Sequence, residues 1–450
     1  MAQDYEEKRS FPRIKADLKV DIPKSIHTAS IDLSENGISI NSSEMISSPN
    51  ISLRVHFPDT NLKMEAKLVW RRNLKTGSSS YGMEFLDLTE NQKSELRKEL
   101  IKTQISPLLN EIEAHDIREQ VYDFFLKDIL NYVNEVIKLS RDLLKNNDFS
   151  EDAEKRLDQL NNQILLKGYY LDELLSDKII IQKIKEHFRH LVGVWSYKSM
   201  IVKRGYEKPR GYPGDYKMLE IVYDNSVISK TKNIGLYFDN YFLKSPYAVA
   251  VRIRKDHLRE ILQRYINEAK IKKIDILDIA CGSCREIKEL LPDLKTDSSV
   301  NFSCLDWDEE ALQFSRDILL SARPKNVSFK FIKEDIMNII KVENTTRLLG
   351  VQNLIYSIGL IDYLPDRILK KLINALYWLL PRGGKLVLTH KNKERTFPSI
   401  PPDWFCDWKF VSRNKEEVIK LFYNCEISGF TLSSDSDDFG YIHYFTITKL

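Results

Sequence analysis

The stretch Ile276-Leu-Asp-Ile-Ala-Cys-Gly-Ser-Cys-Arg-Glu286 decides the fold of the C-terminal half of this chain, and it has two incompatible interpretations. Its Cys281-Gly-Ser-Cys284 segment has the Cys-x-x-Cys spacing of thiol–disulfide oxidoreductases. The apolar residues before this segment and the helical pattern after it instead predict a strand–turn–helix unit that binds nucleotides. The rest of the chain has to decide between these two interpretations.

The surroundings of this stretch favour the second interpretation. In thioredoxin-like proteins a Trp typically stands just before the first Cys, whereas here that residue is Ala280. After about residue 271, strand patterns and helix patterns alternate, which predicts a parallel, doubly wound sheet. We therefore interpret Cys281 and Cys284 as small packing residues at the start of a helix, and we predict no catalytic thiol and no metal site.

Length and composition bound the fold. A chain of 450 residues exceeds what one hydrophobic core normally organises, so two or three domains are expected. Hydrophobic residues at 42% and charged residues at 30% are typical of globular rather than disordered proteins. Five cysteines, an odd number, do not make a disulfide framework, and we expect reduced thiols.

Charge and hydropathy bear on partners and location. The formal net charge of +3 is too small to drive nucleic-acid binding by bulk electrostatics, so nucleic acid is not an expected partner. No apolar run approaches the roughly 18–20 residues that cross a bilayer, and the start MAQDYEEKRS lacks the apolar core of a signal peptide. We expect a cytoplasmic protein without a transmembrane segment.

Three regions follow from the periodicity of the apolar residues. Residues 1–90 alternate with period two between turn signals, which predicts five or six short antiparallel strands in a small β-barrel. Residues 91–245 show the three- and four-residue steps of helices and form a predicted α-helical linker or lid region. Residues 246–450 carry the alternating strands and helices of a Rossmann-like α/β sheet domain. The expected fold is therefore multidomain.

Two short motifs near the N-terminus predict a nucleotide-binding site. Arg9 and Arg13 stand in an R-x-x-x-R spacing, and Asp32, Ser34 and Gly37 follow in a D-x-S-x-x-G spacing. Guanidiniums pair with phosphates and stack on purines, and a carboxylate accepts hydrogen bonds from the N–H groups of guanine. The serine hydroxyl suits a phosphate, and we expect the glycine to adopt a positive-φ turn. Each motif alone occurs by chance, but their order, spacing and strand context together favour ligand binding.

This arrangement resembles the PilZ domain over roughly residues 5–90. The resemblance implies a receptor for cyclic di-GMP, with two arginines on an N-terminal arm and the three other residues on a strand-end turn. Some PilZ-like domains keep the fold without the ligand, and that alternative stays open.

The ends of the predicted C-terminal strands carry residues suited to a nucleoside. The first strand ends at an acidic residue and a glycine turn, where backbone can approach a ligand closely. Acidic residues also end the second and third strands, in an order that resembles class I S-adenosylmethionine-dependent methyltransferases. The resemblance implies contacts to the ribose hydroxyls, to adenine and to its amino group. The residues that it assigns to the cofactor are Asp278, Gly282, Asp306, Trp307, Asp335 and Gly359.

One branch of these enzymes shares further motifs with this chain. The usual Gly-x-Gly-x-Gly is here ACGSC, which keeps only the middle glycine and narrows the turn. With KPRGYPGDY (208–216) and GLIDYL, this turn resembles the proteins of 3-hydroxypalmitic acid methyl ester biosynthesis over about residues 180–450. Within the glycine-rich loop, Arg210, Tyr212 and Asp215 are candidates to cover the cofactor or to hold an anionic acceptor. A purely structural loop is the alternative.

The implied chemistry needs few catalytic groups. Methyl transfer is an in-line displacement, so aligning donor and acceptor and excluding water supply much of the rate. A carboxylate acceptor is already ionised at neutral pH and needs no general base. Tyr363, His390 and Tyr216 are the candidates to contact the acceptor, although a lone His at a strand end is often a hydrogen-bonded neighbour. Arg254 lies on a helix before the first strand, where we expect a solvated face.

The sequence thus predicts an S-adenosylmethionine-dependent methyltransferase regulated by cyclic di-GMP. Its acceptor is expected to be a small or lipid-like molecule, with a fatty-acid carboxylate as one candidate. The alternative is a cyclic di-GMP receptor whose methyltransferase-like domain is inactive and serves protein interaction, which the crowded ACGSC turn motivates.

Overall fold

The computed structural model describes residues 10–23, 28–75, 77–146, 150–229, 234–321, 323–396 and 401–450. The chain forms two compact units, one of Met1–Met200 with Ser229–Phe238 and one of Ile201–Ile228 with Asp239–Leu450. These units follow packing, whereas the predicted divisions after residues 90 and 245 follow the type of secondary structure.

The first unit begins with a seven-stranded antiparallel sheet in the order β1-β3-β4-β7-β6-β5-β2. The sheet curls, because Lys19 just before β2 also bridges Ala29 in β3. The predicted small β-barrel is therefore confirmed as a curled, partly closed sheet. Its strands are β1 (Ile14–Lys15), β2 (Val20–Asp21), β3 (Thr28–Ser34), β4 (Gly37–Ser42), β5 (Asn50–His56), β6 (Asn61–Asn73) and β7 (Ser79–Phe85).

Alternation along the strands explains why the sheet curls around a core. In β5 the side chains of Ile51, Leu53 and Val55 are buried, whereas Arg54 between them is exposed. Successive residues of a strand point to opposite faces, so an apolar residue at every second position covers one face of the sheet. That face is the core of the sheet.

Helices follow the first sheet, as predicted for the middle of the chain. Thr89, Ser150 and Asp177 cap three of them by accepting a hydrogen bond from a backbone N–H of the first turn. The helical segments are α1 (Glu90–Glu111), α2 (His115–Asp123), a π-helical segment (Phe124–Ile129), α3 (Leu130–Asn146), α4 (Glu151–Leu174), α5 (Lys178–Ser196), α6 (Met200–Glu207), α7 (Tyr216–Asp224), α8 (Ile234–Lys244) and α9 (Pro246–Glu268).

A buried ion pair joins the β3–β4 turn to the helices of the first unit. Arg97 Nε in α1 donates to Glu35 Oε2 at 2.5 Å, and the two residues are only 2% and 1% exposed. Arg97 Nη1 also donates to Asn134 Oδ1 in α3 at 2.6 Å, and Ser10 Oγ donates to the other Glu35 oxygen. Removing one partner of a buried pair leaves an uncompensated charge, so this pair fixes the turn against the helices.

The second unit contains a seven-stranded mixed sheet in the order β10-β9-β8-β11-β12-β14-β13. Its strands are β8 (Lys273–Ile279), β9 (Ser299–Asp306), β10 (Val327–Lys333), β11 (Leu354–Ser357), β12 (Lys385–Lys391), β13 (Phe430–Ser436) and β14 (Ile442–Lys449). The helical segments between them are α10 (Arg285–Leu290), a short 3-10 turn (Leu291–Asp293), α11 (Glu309–Ser321), α12 (Ile336–Ile339), α13 (Val342–Leu349), α14 (Asp366–Tyr377), α15 (Lys393–Thr396), α16 (Pro401–Cys406) and α17 (Lys415–Tyr423).

Five of these strands are parallel, as the alternating pattern predicts, but the last two are not. Strand β14 pairs antiparallel with both β12 and β13. The connection between β13 and β14 has only five residues, 437–441, which suffices for a hairpin but not for a parallel crossover. The sheet is therefore a parallel α/β sheet with an antiparallel edge.

The central strand β8 is buried on both faces. Ile274 and Ile276 pack with residues of α9, α10 and α11, whereas Leu277 and Ile279 pack with residues of α14 and α17. A strand covered by helices on both sides has apolar residues on both of its faces, as Ile276 and Leu277 show at consecutive positions. No helix in the described ranges is long and apolar enough to span a membrane.

We predict that Arg97→Met strongly destabilises the first unit, because the Glu35 carboxylate then stays buried without its cation. The expected loss in the free energy of unfolding is about 3–5 kcal/mol, measured by urea unfolding. The control is Lys127→Met, which removes an exposed ion pair with Asp123 on a helix of the same unit and should leave the urea midpoint unchanged. An Arg97→Met midpoint no lower than that of the control contradicts the prediction.

Candidate functional site

In the turn after β8, all three residues at the glycine positions of the Gly-x-Gly-x-Gly motif have an unusual backbone conformation. Ala280, Gly282 and Cys284 have φ angles of 57°, 53° and 48°, all in the left-handed region. An L-residue other than glycine pays roughly 1–2 kcal/mol there. Two of the three positions therefore carry strain that glycine would avoid, and such strain is typical of functional sites.

Hydrogen bonds from neighbouring elements hold this turn. Cys281 N donates to Leu305 O at 3.0 Å, and Ser315 Oγ in α11 donates to Gly282 O at 2.8 Å. Gly282 N donates to Asp306 Oδ2 at 2.9 Å. A Cβ added at Gly282 would come no closer than 4.0 Å to other atoms, so the space beside the turn is open.

Asp278 lies under this turn and is 1% exposed. Neither of its carboxylate oxygens has a hydrogen-bond partner in the described part of the chain, although Glu286 and Tyr356 are close enough to affect its pKa. Burial raises the pKa of Asp278 well above its usual range, and Glu286 adds to this effect. A buried carboxylate without partners is suited to accept hydrogen bonds from a ligand.

Asp306 ends the neighbouring strand with both oxygens oriented by backbone. Its Oδ1 accepts from Asp308 N at 2.9 Å, and its Oδ2 accepts from Gly282 N. Each carboxylate oxygen can accept a further hydrogen bond, so Asp306 is positioned for a diol. Trp307 beside it is 53% exposed, and Asp335 follows β10, whose Lys333 pairs with Asp306.

The glycine-rich loop 208–216 lies against these strand ends. Arg210 forms ion pairs with Asp308 and Glu310, and the ring of Tyr212 lies 5.7 Å from that of Trp307. Arg210 is therefore already engaged by carboxylates.

Two other residues of this loop have defined surroundings. Tyr216 is the residue whose Cβ would approach a side chain at Gly282. Asp215 is fully buried, where it caps α7 through Met218 N at 2.9 Å and pairs with Arg204 Nη2 at 2.6 Å. Asp215 thus anchors the loop to its helix.

A buried cluster of charges lies at the ends of β11 and β12. Asp362, 1% exposed, accepts from His390 Nδ1 at 2.6 Å, and Lys391 Nζ and Arg254 Nη1 lie 3.3 and 3.6 Å from its other oxygen. Arg254 also lies against Gly359, whose φ is 84° and where a Cβ would sit 2.8 Å from the guanidinium. This cluster brings predicted residues together with two basic ones that the prediction did not include.

Burial acts on both signs of charge in this cluster. Burial alone would raise the pKa of Asp362, but Lys391, His390 and Arg254 outweigh it and hold that pKa well below its usual range. Burial lowers the pKa of Lys391 to about 7, against the attraction of Asp362. His390 Nε2 and Arg254 Nε are buried without a hydrogen-bond partner among the described residues.

Aromatic rings line the same cluster. Lys391 Nζ lies 3.5 Å from the ring centroid of Phe410 and 4.4 Å from that of Tyr247. Tyr363 OH accepts from Trp408 Nε1 at 2.8 Å. The site therefore combines cationic groups with an aromatic wall.

The expected solvated face for Arg254 is wrong, since this side chain is 3% exposed and faces Asp362. Its helix α9 packs on the sheet, and tertiary packing decides which of its basic residues is buried. The chain offered one signal, because GLIDYL places an acidic residue near the end of a strand, where a buried carboxylate requires cations.

In the first unit, Arg13 and Asp32 of the predicted nucleotide site are in contact. Arg13 Nη1 donates to Asp32 Oδ1 at 2.6 Å and to Ser39 Oγ at 3.0 Å. Ser34 is buried, and its hydroxyl faces the backbone of its own turn. Arg9 lies outside the described residues.

The expected positive φ at Gly37 is wrong. Glycine is required there for a different reason, because a Cβ would lie 2.3 Å from the carbonyl oxygen of Met83 in β7. The residue is needed for close approach of two strands.

Two contacts connect this predicted site to the helices of the first unit. The backbone oxygen of Arg13 lies 3.2 Å from His190 Nε2 in α5. Glu35, one residue after Ser34, forms the buried pair with Arg97 in α1.

Family comparisons match two separate regions of the chain. Residues 7–102 match the PilZ domain family, and residues 179–393 match the family described as putative methyltransferase. A search of curated proteins found no match.

Solved structures give remote likenesses. A possible exported protein from Bordetella parapertussis is 15% identical, with a TM-score of 0.42 over 72% of this chain and 96% of its own. Magnesium protoporphyrin IX methyltransferase from Synechocystis PCC 6803, solved with bound SAM, is 12% identical, with a TM-score of 0.35 over 55% and 96%. An S-adenosylmethionine-dependent methyltransferase from Clostridium acetobutylicum is 13% identical, with a TM-score of 0.33 over 46% and 96%.

The family matches lie on the curled antiparallel sheet of the first unit and on the α/β sheet of the second. The chain therefore carries a region that matches the PilZ domain family and a region that matches a methyltransferase family.

Proposed function

We propose that this enzyme transfers a methyl group from S-adenosylmethionine to a small or lipid-like carboxylate, and that cyclic di-GMP bound to its PilZ domain regulates the transfer. The observation that carries the cofactor assignment is the partnerless, buried Asp278 beneath a left-handed turn. The observation that carries the acceptor class is the buried basic cluster around Asp362.

The residues at the first strand ends fit the cofactor. When bound, S-adenosylmethionine supplies a methyl group on a sulfonium. Asp278 has free oxygens for its amino group, and Gly282 leaves room for it beside the turn. Asp306, oriented by two backbone N–H groups, has lone pairs left for two ribose hydroxyls.

The adenine end has its own candidate residues. Trp307 is exposed and offers an apolar face for the base, and the exposed carboxylate of Asp335 can accept from its amino group. Tyr212 packs beside Trp307 and would cover the same region. Gly359 follows β11, which lies between β8 and β12 in the sheet, and it contacts Arg254 of the basic cluster.

The basic cluster favours an anionic acceptor. Arg254 and Lys391 face one carboxylate, Asp362, so with Lys391 protonated the cluster has a net positive charge even when His390 is neutral. A carboxylate placed there would offset that charge and accept a hydrogen bond from the partnerless Nε of Arg254, and from His390 Nε2 when both ring nitrogens carry a proton. The aromatic wall suits an apolar chain attached to that carboxylate. A 3-hydroxypalmitate-like acceptor has this combination.

The proposed reaction asks little of the catalytic side chains. A carboxylate is already deprotonated, so His390 would orient the acceptor rather than remove a proton from it. Tyr363, held by Trp408, and Tyr216, beside Gly282, would exclude water from the line of methyl transfer.

For the dinucleotide, the proposed ligand residues are Arg9, Arg13, Asp32, Ser34 and Gly37. Arg13 is paired with Asp32 in this structure. A bound dinucleotide would replace this pair, with its guanine on Asp32 and a phosphate on Arg13.

A route for regulation starts at the same residues. Rearrangement of Arg13 or of the turn would act on α5 through His190 and on α1 through the Glu35–Arg97 pair. The Glu35–Arg97 contact is buried and has few alternative arrangements, which makes it suitable to transmit a change.

Asp306→Ala should weaken S-adenosylmethionine binding by roughly tenfold to a hundredfold, since hydrogen bonds to a charged group are lost. Isothermal titration calorimetry measures it. Asp297→Ala, an exposed carboxylate before the opposite end of β9, is the control and should bind as wild type. Absence of binding in folded wild-type protein would contradict the enzyme proposal and favour the receptor alternative.

The KM for a carboxylate acceptor should rise as pH rises through about 7, because deprotonation removes the positive charge of Lys391. Steady-state kinetics on both sides of that pH measures the change. Lys391→Met should give a high KM that no longer changes in this window, whereas His390→Gln should keep the pH dependence. An unchanged pH profile in Lys391→Met would exclude this role.

Arg13→Ala should weaken cyclic di-GMP binding by about tenfold or more, since a charge-assisted contact to phosphate is lost. Lys15→Ala, an exposed cation in the short strand that follows Arg13, is the matched control and should not change the affinity. Calorimetry tests binding, and methyl-transfer assays with and without saturating dinucleotide test regulation. Equal rates in the two assays would contradict regulation while leaving the binding site intact.

A further inference from the structure

The turn that is proposed to approach the cofactor also gathers soft metal ligands. Asp278, Cys281 and Cys284 are all buried, and one potential ligand atom from each lies within 4.8 Å of the others. The three residues lie within seven consecutive positions, from Asp278 near the end of β8 to Cys284. The mechanism proposed above uses Asp278 but neither thiol.

The local chain geometry explains the grouping. Cys284 N donates to Cys281 O at 2.9 Å, which closes a tight turn and brings the two cysteines together. Their C-x-x-C spacing is the one that structural zinc sites commonly use for a pair of thiolates.

A third cysteine lies next to this group. In the parallel register of β8 and β9, Cys304 pairs with Asp278. Cys304 is fully buried, and its thiol lies close enough to that of Cys284 for the two to affect each other's pKa. Cys304 is therefore a candidate fourth ligand on the neighbouring strand.

The carboxylate supplies the observation that points to a ligand. Both oxygens of Asp278 are buried, and neither has a hydrogen-bond partner in the described part of the chain. A buried carboxylate without partners is costly, and a cation is one of the few groups that would satisfy it. Packing cysteines alone would not require an acidic residue among them.

The donor set selects the kind of cation. Thiolates prefer Zn²⁺ and other soft or borderline ions, whereas Mg²⁺ and Ca²⁺ require oxygen ligands. Zn²⁺ binds at about 2.3 Å from sulfur and about 2.0–2.2 Å from oxygen, so its tetrahedral ligands lie roughly 3.5–4 Å apart. The observed group, whose atoms lie within 4.8 Å of one another, needs to contract by no more than about 1.3 Å to reach that spacing.

We propose that Asp278, Cys281 and Cys284 form a binding site for a thiophilic divalent cation such as Zn²⁺. On binding, each thiol forms a sulfur–metal bond and the Asp278 carboxyl group an oxygen–metal bond, and each group releases the proton that it carries to solvent. No oxidant or reductant is needed. The site does not depend on methyl transfer, but it shares Asp278 with the proposed cofactor pocket, so it is tested without cofactor.

The experiment titrates the full-length protein, reduced and metal-free, with Co²⁺ as a spectroscopic substitute for Zn²⁺. One Co²⁺ per chain with a sulfur-to-cobalt charge-transfer band is expected, and Zn²⁺ should displace it. The Cys281→Ser, Cys284→Ser double variant should lose the band and weaken binding by roughly 100-fold or more, beyond what loss of a supporting residue costs. Cys425→Ser, a partly buried cysteine elsewhere in the same unit, is the control and should keep both.

Asp278→Asn is the second variant, because it keeps both thiols and nearly the shape of the side chain. It should keep the charge-transfer band and weaken metal binding, with circular dichroism confirming that each variant is folded. The proposal is overturned if wild-type protein binds no metal with a sulfur band. It is overturned equally if the double variant binds as tightly as wild type, or if Cys425→Ser loses the band.

Discussion

The hydrogen bond from the backbone of Gly282 to Asp306 is the constraint on which the C-terminal site depends. It joins the tip of β8 to the tip of β9 and holds three consecutive motif positions in left-handed backbone, two of them without glycine. That conformation would relax if only local preferences acted. Three further features over-determine it: the burial of Cys284, the hydrogen bond that Cys281 N donates to Leu305 O, and the one that Ser315 Oγ donates to Gly282 O. The same backbone geometry leaves open space beside the turn and sets the cysteines near Asp278.

Buried charge is compensated in three different ways in this molecule. Glu35 has a single guanidinium partner and fixes a turn against helices. Asp362 faces His390, Lys391 and Arg254, so its negative charge is more than balanced. One nitrogen each of His390 and Arg254 has no hydrogen-bond partner among the described residues. Asp278 has no partner in the described part of the chain. An isolated buried charge is costly, and the Glu35–Arg97 pair avoids that cost within the protein. The basic cluster around Asp362 is suited to bind an anionic ligand, whereas Asp278 is suited to bind a cationic one.

The glycine-rich loop shows how local rigidity serves a site. Asp215 and Arg204 anchor its end, while Arg210 is tied to the carboxylate that follows Asp306. With both ends held, Tyr212 and Tyr216 are kept beside the strand tips without being part of the sheet. In the first unit, the contacts of Arg13 with Asp32 and His190 similarly place a predicted ligand residue between the sheet and a helix. Both sites are thus built from short segments supported by regular elements.

The sequence by itself determined the strands, the change to helical periodicity and the acidic residues at successive strand tips, because period and strand-end chemistry are local properties. It also identified Arg13 with Asp32, whose side chains are in contact. Only the tertiary structure decided that the last strands are antiparallel, that Gly37 serves close strand approach rather than positive φ, and that Arg254 faces Asp362. These features depend on which surfaces pack together across long stretches of chain, and a single helix or turn carries no local signal for its partner.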